Sequence, residues 1–245
     1  MISNIKTIEV AQKDKESIRL FEKFYNEIFL KAFTNENETT PLDDVLQYLN
    51  SNNNVNLPNH IFIYMQDNEI LGGIIVDYFK EIDALAIEFI VVNEQFRNQG
   101  LANYFINNAI ETLYTKYNIK FEWIFIEIER PEVKNKEDMA YMSFWQKNGF
   151  KMIDFDYQQP ALGYNKQPVN MLLCVKNTIN KDIDKIPSEL VKLFISDYAK
   201  YSMQIEHPQI DQTIMKMEEQ LNKSSYQDLY ILLDKYKEVF DNRIR

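Results

Sequence analysis

Arg97, Gly100 and Ala102 lie in the run Arg97-Asn98-Gln99-Gly100-Leu101-Ala102-Asn103, and their types and spacing suit the binding of a phosphate. Upstream, Leu85-Ala86-Ile87-Glu88-Phe89-Ile90-Val91-Val92 is an apolar run of strand length, interrupted by one carboxylate. Downstream, Leu101, Ala102, Phe105, Ile106, Ala109, Ile110 and Leu113 recur at helical spacing, which predicts a helix starting where the loop ends. Backbone N–H groups from Gln99 to Asn103 would then be the unpaired donors of a helix N-terminus carrying roughly +0.5 charge, a natural anion site. Gly100 lets the backbone approach a ligand with no side chain between, and Ala102 keeps the first turn thin. Taken alone, these residues are equally compatible with an ordinary strand-to-helix turn.

Three carboxylates are candidates for proton transfer. Glu88 sits two residues before Ile90, on the same face under strict alternation, and a carboxylate in an otherwise apolar strand is costly unless partnered. It is the leading base candidate, its pKa raised by burial, with a salt-bridged or edge-exposed structural glutamate as the alternative. Glu127 and Glu129 alternate in Glu122–Glu129 and share one face, as a second candidate base or ammonium-binding pair or as ordinary exposed strand charges. Cys174, in Met171-Leu172-Leu173-Cys174-Val175, has no basic neighbour to activate it and reads as a buried structural thiol. His60 and His207 are isolated from each other and from Cys174, so no metal site is expected.

The elements around this loop form an ordered set. His60–Met65, the turn Gln66-Asp67-Asn68-Glu69 and Ile70–Phe79 read as a hairpin, with Ile82 onward as the next antiparallel partner. After the helix, Glu122–Glu129 alternates as a strand and Arg130-Pro131 ends it. Ala140–Gly149-Phe150 then reads as a late helix with a closing GF, followed by Asp156-Tyr157-Gln158-Gln159-Pro160 and the strand Asn170–Val175. With Arg97, Gly100 and Ala102 matching an RxxGxG/A signature and Gly72-Gly73 in the hairpin, this set resembles the GNAT acetyltransferase superfamily. The YxQP segment at Tyr157–Pro160 is similar to that of a bacterial subgroup. The likeness spans about Phe21 to Val175.

That resemblance implies an α/β fold with a GNAT-like mixed, mostly antiparallel central sheet flanked by helices. It also implies acetyl-CoA as donor, with its pyrophosphate on Arg97, Asn98, Gln99, Gly100, Leu101, Ala102 and Asn103. The pantetheine arm would pair with the backbone of Ile90, Val91 and Val92, and no metal would be used. The reaction would be attack of an amine on the thioester. Family members often carry a tyrosine four residues before the GF glycine as acid for the leaving thiolate; here that position is Trp145, which cannot donate a proton in practice. Trp145 is expected to pack on the pantetheine or in the core, with Tyr141 and Tyr157 as substitute acids. A non-catalytic acyl-CoA-binding sensor or protein-interaction module is the rival class.

Composition narrows the partners. The 245 residues are 45% hydrophobic with 13% aromatics, enough for a folded core, and the 5 glycines are so sparse that three of them falling at Gly72, Gly73 and Gly100 is informative. The net charge of −10 disfavours nucleic acid and anionic membranes and favours a cationic acceptor, a small molecule or peptide amine. One cysteine and no apolar run near the roughly 20 residues of a membrane span point to a cytoplasmic protein. Phe21, Phe24, Tyr25, Ile28 and Phe29 predict a first helix, and a second starts near Pro41. Between them the loop Thr34–Thr40 carries Glu36 and Glu38, which either meet a substrate amine or face water. Asn50–Asn59 is a turn-rich linker. Residues 1–178 are expected to form the GNAT-like domain and 179–245 a helical extension packed on it, with helices from Pro187, around Ile210–Leu221 and around Tyr226–Phe240. The extension would cover the acceptor cleft or form a homodimer contact.

Overall fold

The computed structural model describes residues 4–11, 13–51, 59–131, 136–163 and 165–234. Of the expected linker Asn50–Asn59, residues 52–58 lie outside the described residues. The chain forms two compact units, one from the residues up to Tyr78 with Leu85–Lys120, the other from Phe79–Ala84 with the chain from Phe121 on.

The first unit holds β1 (Lys6–Glu9), α1 (Lys15–Phe24), α2 (Leu42–Ser51), β2 (Asn59–Gln66), β3 (Glu69–Phe79), β4 (Ala84–Val92) and α3 (Leu101–Tyr117). Strand order is β1-β2-β3-β4, with β1/β2 and β2/β3 antiparallel. The predicted hairpin closes through Asp67 and Asn68, both at positive φ, as a tight turn between twisted strands requires. Asp14 caps α1 by accepting from the Glu16 N–H. Past Phe24 the helix widens into a π turn, Tyr25–Phe29. The wider turn helps bring Phe21, Phe24, Tyr25, Ile28 and Phe29 together into the core beside Ile61, Ile63, Ile70, Ile75 and Val91.

Close approach explains the glycine pair. A Cβ on Gly72, at φ +154°, would stand 2.1 Å from the Val91 carbonyl oxygen and 2.7 Å from the Phe105 ring; one on Gly73 would press on Phe24 and the Phe62 carbonyl. The neighbours that need these glycines are therefore two strands and two helices. At the far end of α3, Lys116 and Tyr117 bond Glu9 of β1, which also meets His60 Nδ1 at 3.0 Å. Burial pushes the Glu9 carboxyl up, but these hydrogen bonds outweigh it and hold the pKa at about 2.

The second unit holds β5 (Trp123–Glu129), α4 (Lys136–Lys147), β6 (Lys151–Ile153), β7 (Gln158–Gln159), β8 (Val169–Asn177), β9 (Lys185–Pro187), α5 (Ser188–Tyr201), α6 (Gln212–Leu221) and β10 (Tyr226–Ile231). The strands run β5-β8-β6-β10-β9 with β7 on β8, and the pairings are antiparallel. Residues on both sides of position 178 lie in this unit. On one face of β5, Phe125 stacks on Phe194 of α5 at 3.9 Å between ring centroids. Asp211 caps α6 through the N–H groups of Thr213 and Ile214.

The helix expected around Tyr226–Phe240 begins instead as strand β10; residues 235–240 lie outside the described residues. Tyr226, Leu229, Tyr230 and Leu233 satisfy helical spacing, but Gln227 and Leu229 are buried between exposed Tyr226 and Asp228, a period of two. Pairing with β6 on one side and β9 on the other supplies the backbone hydrogen bonds that favour the strand. The expected α/β architecture, mostly antiparallel and flanked by helices with further helices after residue 178, is otherwise what the chain adopts. No helix among the described residues is long and apolar enough to cross a membrane.

Gly72→Ala is expected to cost more than about 2 kcal/mol, because strand and helix cannot both yield to the added methyl. A urea midpoint lowered at unchanged slope would register it; an unchanged midpoint would mean that β3 and β4 separate freely.

Candidate functional site

β4 delivers the chain to the predicted anion loop. The Asn93 N–H donates to the Leu71 carbonyl at 2.8 Å and its side chain to the Ile70 carbonyl at 3.1 Å, so the end of β4 is tied to β3. Val91 and Asn93 thus direct their main-chain groups toward β3, and by strand alternation Ile90 and Val92 direct theirs to the opposite edge. Asn98 at φ +63° and Gly100 at φ +78° then turn the chain into α3. Gly100 is the N-cap, and among the described residues no side chain caps the helix. Among the described residues nothing lies within 4 Å of where a Gly100 Cβ would be. Arg97, Asn98, Gln99, Gly100 and Asn103 are exposed, Ala102 is half-buried, and Leu101 is buried as the first core residue of α3. Arg97 folds its Nε back to the Val92 carbonyl at 3.4 Å. A cleft of about 380 Å³ lies beside the loop. Lys23, Lys31 and Arg97 border it opposite Glu27, Glu69 and Glu94, so it carries no net preference for one sign of charge.

The predicted carboxylates separate. Glu88 is half-buried on β4. Glu129 is exposed, whereas Glu127 is half-buried and accepts three hydrogen bonds: from Tyr157 Oη at 2.5 Å, Gln159 Nε2 at 3.0 Å and Tyr198 Oη at 3.1 Å. Burial pushes the Glu127 carboxyl above its usual range, with the three hydrogen bonds pulling it back. Burial and the adjacent carboxylate raise the Tyr157 phenol well above its usual value, so at neutral pH it stays a donor. The segment bearing Tyr157 and Gln159 is braced by α6: Gln220 Oε1 accepts the Asp156 N–H at 3.0 Å, and Met217 Sδ accepts that of Gln158.

A family model described as Acetyltransferase (GNAT) family matches residues 22–150. The chain belongs to that family. Among curated proteins none matches the sequence. Solved structures similar to this GNAT chain include a putative GNAT-family acetyltransferase from Bacteroides thetaiotaomicron, 19% identical, covering 82% of this chain and 99% of that one at a TM-score of 0.59. A variant of the spermidine N-acetyltransferase SpeG from Vibrio cholerae is 12% identical, covering 74% of this chain and 98% of that one at a TM-score of 0.51. At these identities the likeness establishes the fold.

Within this GNAT chain, Trp145 is 2% exposed, ringed by Tyr141, Phe144 and Phe150, and its Nε1 has no hydrogen-bond partner among the described residues. It is a core residue in this conformation. Glu38, expected to meet substrate or water, is 7% exposed and accepts from Asn35 Nδ2, while Glu36 is exposed. Cys174 is fully buried, its thiol pushed up by desolvation. Among the described residues no group of three acidic, His or Cys side chains forms a metal site. Sequence reasoning missed Gln159 and Tyr198 as partners of Glu127; Gln159 was marked by the YxQP segment, whereas Tyr198 had no signal beyond its place on an apolar helix face.

The Glu127 environment has a pH signature. Its pKa is 4.5 when unfolded and higher when folded, so between those two values the folded state holds a proton that the unfolded chain has released, and above the folded value both states carry the carboxylate. Stability conferred by that proton is present below pH 4.5 and lost as pH rises through the folded value. Glu127→Gln is expected to flatten this decline in urea midpoints measured from pH 4 to 8; a parallel decline in both proteins would place its origin elsewhere.

Proposed function

We propose that this protein transfers the acetyl group of acetyl-CoA to an amine by direct attack of the amine nitrogen on the thioester. The observation that carries the reading is the N-terminus of α3, which among the described residues no side chain caps and which has none of them within 4 Å of a Gly100 Cβ. The N–H groups of Leu101, Ala102 and Asn103, with the loop Arg97–Gly100, are the donors for the pyrophosphate. Arg97 reaches it by leaving the Val92 carbonyl. Ile90 and Val92, whose main-chain groups lie on the edge of β4 away from β3, pair with the pantetheine arm. One of their N–H groups polarises the thioester carbonyl.

Glu88, on the same strand, takes the proton of the attacking ammonium. The C–N bond forms, the C–S bond breaks, and the second proton, shed by the acylated nitrogen, passes through solvent to the departing thiolate. A thiolate with a pKa near ~8.5 can leave without a dedicated acid, which accommodates Trp145 at the position where many members of the family carry tyrosine. Amine acetylation is a reaction of this fold, as the name of the Vibrio cholerae spermidine N-acetyltransferase records. The net charge of −10 favours a cationic acceptor.

Calorimetric titration of acetyl-CoA tests the donor site. Position 100 is a poor place for a repelling charge, because φ +78° strains any L side chain there. Ala102→Glu adds the charge at a helical position where a carboxylate suits the helix dipole. Loss of binding by at least about tenfold at unchanged melting temperature is expected; equal binding would sink the donor site. With an amine panel and thiol release as readout, Glu88→Gln is expected to lower kcat by about 10²–10⁴-fold. Acetyl-CoA binding with no thiol release from any amine would identify a non-catalytic acyl-CoA-binding protein instead.

A further inference from the structure

Glu127 is a half-buried carboxylate whose three hydrogen-bond donors, Tyr157, Gln159 and Tyr198, are all neutral. Among the described residues it has no ion-pair partner. Beside it, Gln159 is 5% exposed; its Nε2 donates to Glu127, and its Oε1 meets no donor among the described residues. Flipping the amide would not help, because Oε1 would then face the carboxylate oxygen. A buried amide oxygen without a donor is costly and calls for a partner. Here it lies within one amide group of a carboxylate that itself has no counter-cation. Two adjacent acceptors, one charged, are the complement of a group with several N–H donors and a single positive charge.

We propose that Glu127 and Gln159 bind the primary ammonium group of a small cationic ligand. Tyr198 of α5 is the positioning residue that holds the carboxylate in place. An ammonium supplies both the missing charge and the donor for Gln159 Oε1, whereas a hydroxyl supplies one donor and no charge. That the ligand is the acetyl acceptor rests on the acetyltransferase reading; the ammonium site does not.

The test is calorimetric titration of 1,4-diaminobutane, a blocked lysine peptide and, as neutral control, 1,4-butanediol into the full chain and into Glu127→Gln and Tyr198→Phe. At least one amine is expected to bind the wild type and to bind Glu127→Gln about 10- to 100-fold more weakly, the loss expected for a charge-assisted hydrogen bond, while the diol binds neither. Tyr198→Phe is expected to weaken amine binding a few-fold with acetyl-CoA affinity unchanged; a merely structural tyrosine would leave amine affinity alone. Absence of amine binding to the wild type, or equal binding to wild type and Glu127→Gln, overturns the proposal. Acetyl-CoA titrated into the same samples separates the two readings. Retained acetyl-CoA binding without amine discrimination sinks the ammonium site alone, and amine binding without acetyl-CoA binding sinks the transferase reading alone.

Discussion

The desolvation of one carboxylate organises the second unit. Removing Glu127 from water is costly unless donors replace the lost hydration, and the chain brings three of them from two separate segments. Meeting that requirement ties β5 to the segment at Tyr157–Gln159 and to α5, while α6 holds the same segment through Gln220 and Met217. The aromatic stack of Phe125 on Phe194, and of Phe194 on Tyr198, places the helix so that the tyrosine hydroxyl arrives at the carboxylate. Packing and polar satisfaction are therefore a single constraint here, and neither survives a shift of α5 along β5.

The first unit solves a different problem. Among the described residues no side chain caps the N-terminus of α3, while the elements around that end are fixed. Gly72 lets β3, β4 and α3 close on one another, Asn93 pins the strand end, and the Glu9 cluster anchors the opposite end of α3. With both ends held, the uncapped N-terminus is a preorganised feature rather than a frayed one.

Where one element's pattern was enough, the sequence was legible. The hairpin through Asp67-Asn68, the apolar strand β4, the helix from Leu101 and the buried Cys174 follow from local periodicity and turn chemistry. The Gly72-Gly73 pair stood out by the sparseness of glycine, but the two strands and two helices that approach it are known only from the fold. Short strands were harder. β6, β7 and β9 span two or three residues each, too few to show a period, and β10 fits helical spacing until its pairing partners are known. Glu127 was visible as a candidate, but its separation from Glu129 on the same strand face depends on where along β5 the donors of α5 and of the Tyr157–Gln159 segment arrive, a tertiary fact that no local pattern encodes.

The donors to Glu127 lie 30, 32 and 71 residues further along the chain. A chain synthesised from its N-terminus therefore exposes this carboxylate well before Tyr198 exists. At roughly 5–20 residues per second that interval is about 4–14 s, long against the microseconds in which a helix or hairpin forms. During it, β5 carries an ionised glutamate, and a charge within an apolar strand opposes premature edge-to-edge association. The same side chain that completes the folded unit thus protects the nascent one, and its change of role is timed by the arrival of α5.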